Sequence, residues 1–128
     1  MRILIADGYA PTRYAIRKLL QRCPGWEVCG EAANGREAVA KTAALKPDVV
    51  IIDIALGTEC GVTVAEEIFA ATPGLPIVLC TTSPTVHPAL ESGVRAVVDK
   101  SDAGRQLVHA IETALSDKSV KTFVAAAG

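Results

Sequence analysis

The chain offers little by which it could be held together covalently or through a metal. Its four cysteines, Cys23, Cys29, Cys60 and Cys80, form no CxxC pair and have no zinc-type spacing with the two histidines, His87 and His109. Each cysteine therefore reads as a small hydrophobe, and a reducing cytoplasm fits best. Charge of one sign is missing too. Thirteen Lys and Arg oppose 14 Asp and Glu, and a net charge of -1 gives no general attraction to nucleic acid or to an anionic membrane. No apolar run approaches a membrane span, and Asp7 interrupts the first one before a signal-peptide core could form. A soluble, cytoplasmic protein is expected, with no membrane partner and no direct nucleic-acid binding.

What is present is a core. Half of the 128 residues are hydrophobic, enough for one domain without staples. Four short runs rich in Val, Ile and Leu recur: Ile3 to Ala6, Val49 to Ile52, Ile77 to Cys80 and Ala96 to Val98. Their continuous apolar character predicts strands buried on both faces, as in a parallel sheet. A fifth run, Trp26 to Gly30, alternates and reads as an edge strand. Helical patterns lie between the runs. Ile16, Leu19, Leu20 and Cys23 form one stripe, with Arg13, Arg17, Lys18 and Arg22 largely outside it. Asn34 with Glu37, and Thr63 with Glu66, have capping-box spacing, and Asp102 suits the N-cap of a last helix ending near Leu115. Repeated β-α order predicts a parallel sheet with helices on both faces, whose chemistry collects at the carboxyl ends of the strands.

Those ends carry Asp7, Asp53, the run Thr81-Thr82-Ser83, and Asp99-Lys100-Ser101. Asp53 follows four apolar residues directly, so its carboxylate needs a cation nearby. Lys100 can supply one, and a divalent cation between Asp7 and Asp53 could supply more. A carboxylate beside a metal, an ammonium and a hydroxyl is the arrangement for phosphoryl transfer to Asp. Asp7 also reads as a plain helix cap.

The segments "RILIADGYAPTRYAIRKLL", "GEAANGREAVAKTAALKPDVVIIDI", "PIVLCTT" and "ESGVRAVVDKSD" resemble the receiver domain of two-component response regulators, especially the subgroup usually fused to a helix-turn-helix output domain. The resemblance runs to about Ser116. It implies a flavodoxin-like (βα)5 doubly wound fold, with five parallel strands in the order 2-1-3-4-5. It also implies Asp53 as phosphoacceptor from a histidine kinase, Lys100 and Thr81 as phosphoryl-binding partners, and Asp7 with Asp53 as Mg²⁺ ligands. It further implies a non-enzymatic signalling role. Residues 1–116 would be the receiver and 117–128 a tail or the start of a linker. The surface where the family dimerises, formed by the fourth helix, fifth strand and fifth helix, is the candidate homodimer face.

The chain departs from that pattern. The second acid after strand one is Gly8, which predicts weakened Mg²⁺ binding. Gly57 replaces a proline four residues after Asp53, and Cys60 an acid before Gly61, with Glu59 near enough to substitute in part. Between Thr81 and Gly93 the chain is nearly one helical turn short and carries Pro84 and Pro88. Val97 stands where the family's switch aromatic is usual. These changes support an alternative, a pseudo-receiver that acts as a phosphorylation-independent interaction module. Enzyme and cofactor readings fare worse. Tyr9 occupies the place of the acid/base Asp of haloacid-type phosphatases, Gly8-Tyr9-Ala10-Pro11 is no flavin-phosphate cradle, and no Walker loop is present. The basic residues of the first helix read as a solvated face or as a dock for an acidic kinase surface.

Overall fold

A computed structural model of the chain describes residues 1–82, 93–116 and 121–123. Its elements run β1 (Arg2–Ala6), α1 (Ala10–Leu20), β2 (Glu27–Ala32), α2 (Gly35–Leu45), β3 (Val49–Asp53), a short antiparallel pair β4 (Ala55–Leu56) and β5 (Glu59–Cys60), α3 (Gly61–Ala71), β6 (Ile77–Thr81), β7 (Val94–Asp99), α4 (Ala103–Ser116) and β8 (Lys121–Phe123). The main sheet has the order β2-β1-β3-β6-β7-β8, and all its pairings are parallel. Its first five members are the expected flavodoxin-like sheet in 2-1-3-4-5 order, with β2 at one edge.

Strand residues alternate between two cores because successive side chains point to opposite faces. Leu4, Ala6, Val50, Ile52, Ile77, Leu79 and Val97 meet Ala38 of α2 and Val64, Ala65 and Ile68 of α3. Ile3, Ile5, Val49, Ile51, Val78, Cys80, Ala96 and Val98 meet Ile16 and Leu20 of α1 and Leu107, Ala110, Ile111 and Ala114 of α4. Two layers of helix thus cover one sheet. Each fully buried Leu or Ile contributes roughly 1.5–3 kcal/mol.

Local signals held at some ends and failed at others. The Asn34 half of the capping box forms as read, with Asn34 Oδ1 accepting from the Glu37 amide at 2.9 Å, while Glu37 Oε2 reaches one residue past the N-cap to accept from the Ala33 amide at 2.9 Å. Thr63 and Glu66 form no such cap, because α3 begins earlier, at Gly61, with Cys60 as an N-cap that makes no side-chain bond. The start is set by backbone contact. The Gly61 amide donates to the Ile54 carbonyl at 2.6 Å, and a Cβ at Gly61 would lie 2.2 Å from the Asp53 carbonyl oxygen, so glycine alone permits it. Asp102 stands just before α4, but its carboxylate accepts from Gln106 Nε2 at 3.1 Å. The turn bond is made upstream, where Asp99 Oδ1 accepts from the Ser101 amide at 3.0 Å.

Part of the segment expected as a tail joins the sheet. Lys121, Thr122 and Phe123 pair with Ala96, Val97 and Val98, covering a stretch of β7 whose backbone groups otherwise face an open edge. The expected fourth helix, with Ser83, Pro84, His87 and Pro88, lies outside the described residues, so only β7 and α4 of the candidate homodimer face are described. Among the described residues no helix is long and apolar enough to cross a membrane.

Candidate functional site

Register builds the site. β1 pairs with β3 up to Ala6–Ile52, so the next residues, Asp7 and Asp53, emerge together at the carboxyl edge. Asp53 pairs with Cys80 of β6, and Thr81 of β6 pairs with Asp99 of β7, placing Thr81 one step and Lys100 two steps further along that edge. Asp7, Asp53 and Thr81 are 3%, 5% and 1% exposed, so the two carboxylates stand nearly out of water and require a counter-charge.

Lys100 provides it. Its Nζ lies 2.9 Å from Asp53 Oδ2 and 3.3 Å from Asp7 Oδ2. Burial works to lower the Lys100 pKa, but the hydrogen bond to Asp53 and the charges of Asp53 and Asp7 outweigh it and hold the ammonium above its ordinary value. The lysine is therefore a permanent cation at neutral pH. The Cys80 thiol, beneath the site, is pushed up to about 12, by burial first and by the Asp53 charge second, so it is no nucleophile.

Asp7 serves two roles at once. Its Oδ1 accepts from the Tyr9 amide at 2.8 Å, holding the turn into α1, while Oδ2 faces Lys100. Asp7 is not the helix cap that the sequence allowed: the N-cap of α1 is Tyr9, which receives no side-chain cap bond, and Asp7 holds the preceding turn while facing the site. Arg13 fastens the same turn from outside by donating to the Asp7 carbonyl. Arg13 and Arg17 also bind Glu31, at 3.0 and 2.7 Å, so neither is a free basic dock. Burial works to raise the Glu31 pKa, but hydrogen bonds from Arg17 and Arg13 outweigh it and hold the carboxyl below its usual range. Glu31 itself gave no signal in sequence, since its partners lie on another element.

The donor set at the edge fits a hard divalent cation. Mg²⁺ is commonly held by one or two carboxylates and completed by water and phosphate oxygens, and Asp7 with Asp53 supply two. No cluster of three or more His, Cys, Asp or Glu able to hold a metal occurs among the described residues. At position 8, where a further acid would stand, a Cβ would lie 3.1 Å from the Gly57 amide nitrogen and 3.5 Å from the Ala33 carbonyl. Gly57, at φ +65°, turns the β4–β5 pair and brings its backbone against Gly8. Glu59 does not substitute for the missing acid. Its Oε1 accepts from the Gly35 amide at 3.1 Å, at the N-terminus of α2. Val97, at the expected switch position, is buried in the α2/α3 core.

A doubly wound parallel sheet with two carboxylates and an ammonium gathered at its carboxyl edge defines a class of signalling-receiver modules. The family model "Response regulator receiver domain" matches residues 3–112, and the chain belongs to that family. Among relatives, the chemotaxis protein CheY of Thermotoga maritima is 34% identical over 113 residues, which cover 86% of this chain and 93% of that protein. A protein-glutamate methylesterase/protein-glutamine glutaminase of Methanosarcina mazei is 36% identical over 123 residues, 92% of this chain; the match spans only 34% of that relative's length. A crystal structure of a LuxR-family two-component response regulator from Aurantimonas sp. SI85-9A1 superposes with a TM-score of 0.87 at 29% identity, covering 94% of this chain and 88% of that one.

Proposed function

We propose that the chain accepts a phosphoryl group on Asp53 from a histidine kinase and thereby switches a protein-protein interaction surface in the cytoplasm. One observation carries the reading: the Lys100 ammonium stands between the Asp53 and Asp7 carboxylates, at 2.9 and 3.3 Å, on the edge where their strands end. The Asp53 carboxylate attacks phosphorus in line, the P–N bond of the kinase's phosphohistidine breaks, and its electron pair returns to the imidazole ring. Lys100 neutralises negative charge on the incoming phosphoryl oxygens and is already held in place, so little reorganisation is required. Thr81 offers its hydroxyl from the adjacent strand end. Mg²⁺, held by Asp7 and Asp53, would supply further charge neutralisation, with affinity weakened because position 8 is glycine.

The domain proposed for this role is residues 1–116. Mixing the protein with a phosphorylated histidine-kinase domain tests it. Label should move to the wild-type chain and stay on the kinase with Asp53→Asn; equal labelling of both chains overturns the assignment. A second reading, a phosphorylation-independent interaction module, is favoured by the closed Gly8–Gly57 contact and by Val97 in place of a mobile aromatic. The homodimer face proposed in either reading is the surface around α4 and the part of the β7 edge that Lys121–Phe123 leaves uncovered.

A further inference from the structure

Between α1 and α4, on the face of the sheet opposite α2 and α3, lies a cavity of about 590 Å³. It starts beside Asp53 and Lys100 but extends well past them, along α1 from Pro11 to Leu19, roughly 12 Å by helical rise, and on to Arg22. Its inner wall is apolar: Ile5 and Ile51 from the strands, Cys80 beside them, and Ile16 and Leu19 from α1. The space exists because the facing positions are small. Ala15 on α1 and Ala103 and Gly104 at the start of α4 line it, Ala15 and Gly104 both exposed, and a Cβ on Gly104 would meet no heavy atom within 4 Å among the described residues. The outer lining is exposed, at Pro11, Ala15, Lys18, Arg22 and Gly104, so the space is a groove open to solvent, and its volume falls within the range of about 300–1,000 Å³ typical of concave, mostly apolar small-molecule sites.

Charge on the lining selects the ligand's head group. The two acids, Asp7 and Asp53, are both engaged by Lys100. At the far end, Arg22 makes no salt bridge among the described residues, and Lys18 rests over the Tyr14 ring at 5.4 Å, also without a carboxylate partner. Arg13 and Arg17 are taken by Glu31, which leaves Lys18 and Arg22 as the cations that line the cavity away from the triad. Tyr9, 64% exposed, adds an aromatic surface at the mouth.

We propose that this cavity binds a small amphipathic monoanion, an aryl or alkyl carboxylate or sulfonate. Its apolar body lies against Ile5, Ile51 and Leu19, and its head group pairs with Arg22 and Lys18. Such a ligand reaches the wall behind Asp53 and Lys100, giving the domain an input that needs no phosphoryl donor. The site stands whether or not Asp53 is phosphorylated.

The test uses the whole chain and two fluorescent probes of the same shape, anilinonaphthalene sulfonate and its uncharged analogue N-phenyl-1-naphthylamine. The folded protein, shown folded by a cooperative melt, should bind the sulfonate saturably at one site, about tenfold or more tighter than the neutral probe. Ala15→Trp, which fills the cavity, should abolish both signals, and Gly104→Leu serves the same purpose if the first variant does not fold. Arg22→Glu should weaken the sulfonate about tenfold and leave the neutral probe unchanged. Absence of saturable binding, or binding indifferent to both cavity-filling variants, overturns the site. Equal affinity for the two probes overturns the assignment of an anionic ligand. Neither result bears on phosphorylation, which is read from label transfer alone.

Discussion

On the strand side of the carboxyl edge, Asp7, Asp53, Thr81 and Lys100 are delivered by parallel strands in register, each buried strand packed on both faces. On the loop side, Gly8, Gly57 and the start of α2 meet through backbone, with Glu59 tied to the Gly35 amide. The strand side keeps the groups that receive charge. The loop side carries no side chain at position 8, where Gly8 lies close against the Gly57 backbone. Positions fixed by register can hold a charged cluster at little cost, whereas loop positions are free to change their chemistry without disturbing the sheet.

Substitutions can break or sharpen that contrast, and the largest effect should come from the strand side. Lys100→Met removes the shared cation from two buried carboxylates. It should slow Asp53 phosphorylation by about 10²-fold or more, the scale seen when one preorganised charge-stabilising donor is lost. It should also lower stability by roughly 2 kcal/mol, less than for a fully buried pair because Lys100 reaches solvent. Phosphorylation rates and urea midpoints read the two effects, and a Lys100→Met/Asp53→Asn pair should recover part of the stability. Because the Lys100 pKa is raised, its contribution is complete below its unfolded value and is lost only as pH rises through the folded one. Titration of Lys100 itself should therefore add no pH dependence to wild-type stability through neutral pH.

Gly61→Ala comes next. With a Cβ 2.2 Å from the Asp53 carbonyl oxygen, it should cost about 2 kcal/mol or more by forcing the backbone apart. A loss below about 0.5 kcal/mol would mean the contact with Asp53 is loose. Gly8→Asp is a milder test. The Gly57 amide must yield by a few tenths of an ångström, so the variant should lose about 1 kcal/mol of stability while tightening Mg²⁺ several-fold, read by calorimetric titration. An unchanged titration would mean that the loop, and not only the missing acid, sets metal affinity.

The smallest effect is expected at Glu31. Its pKa is lowered, so its pairing with Arg13 and Arg17 stabilises the fold above the unfolded carboxyl value and is lost as pH falls through the folded one. Glu31→Gln should cost about 0.5–1 kcal/mol at neutral pH and flatten the acid side of the stability profile, measured by urea melts from about pH 6 to about pH 3.

The strand half of this comparison was legible in the sequence because its signals are local and repeated. Continuous apolar runs marked β1, β3, β6 and β7, and a polar residue directly after each run marked the edge that holds Asp7, Asp53 and Lys100. The loop half was not, because its determinants are contacts between elements distant in sequence. Glu59 reads as a spare site acid until the hairpin places it on the amide of Gly35, 24 residues away. Thr63 and Glu66 have cap spacing, yet the Gly61 contact with Asp53 starts the helix before them. Arg13 and Arg17 read as a free basic face until β2 brings Glu31 beneath them. The short strand Lys121–Phe123 has no periodicity of its own and is specified by the edge it pairs with.

The central claim is that Asp53, held against Lys100, is a working acceptor despite the altered loop side. Incubation of the chain with a small-molecule phosphodonor and Mg²⁺, followed by intact-mass measurement, tests it most directly. The account predicts a single phosphoryl adduct in the wild type and none in Asp53→Asn. No adduct at any magnesium concentration, or an adduct that survives Asp53→Asn, would contradict it.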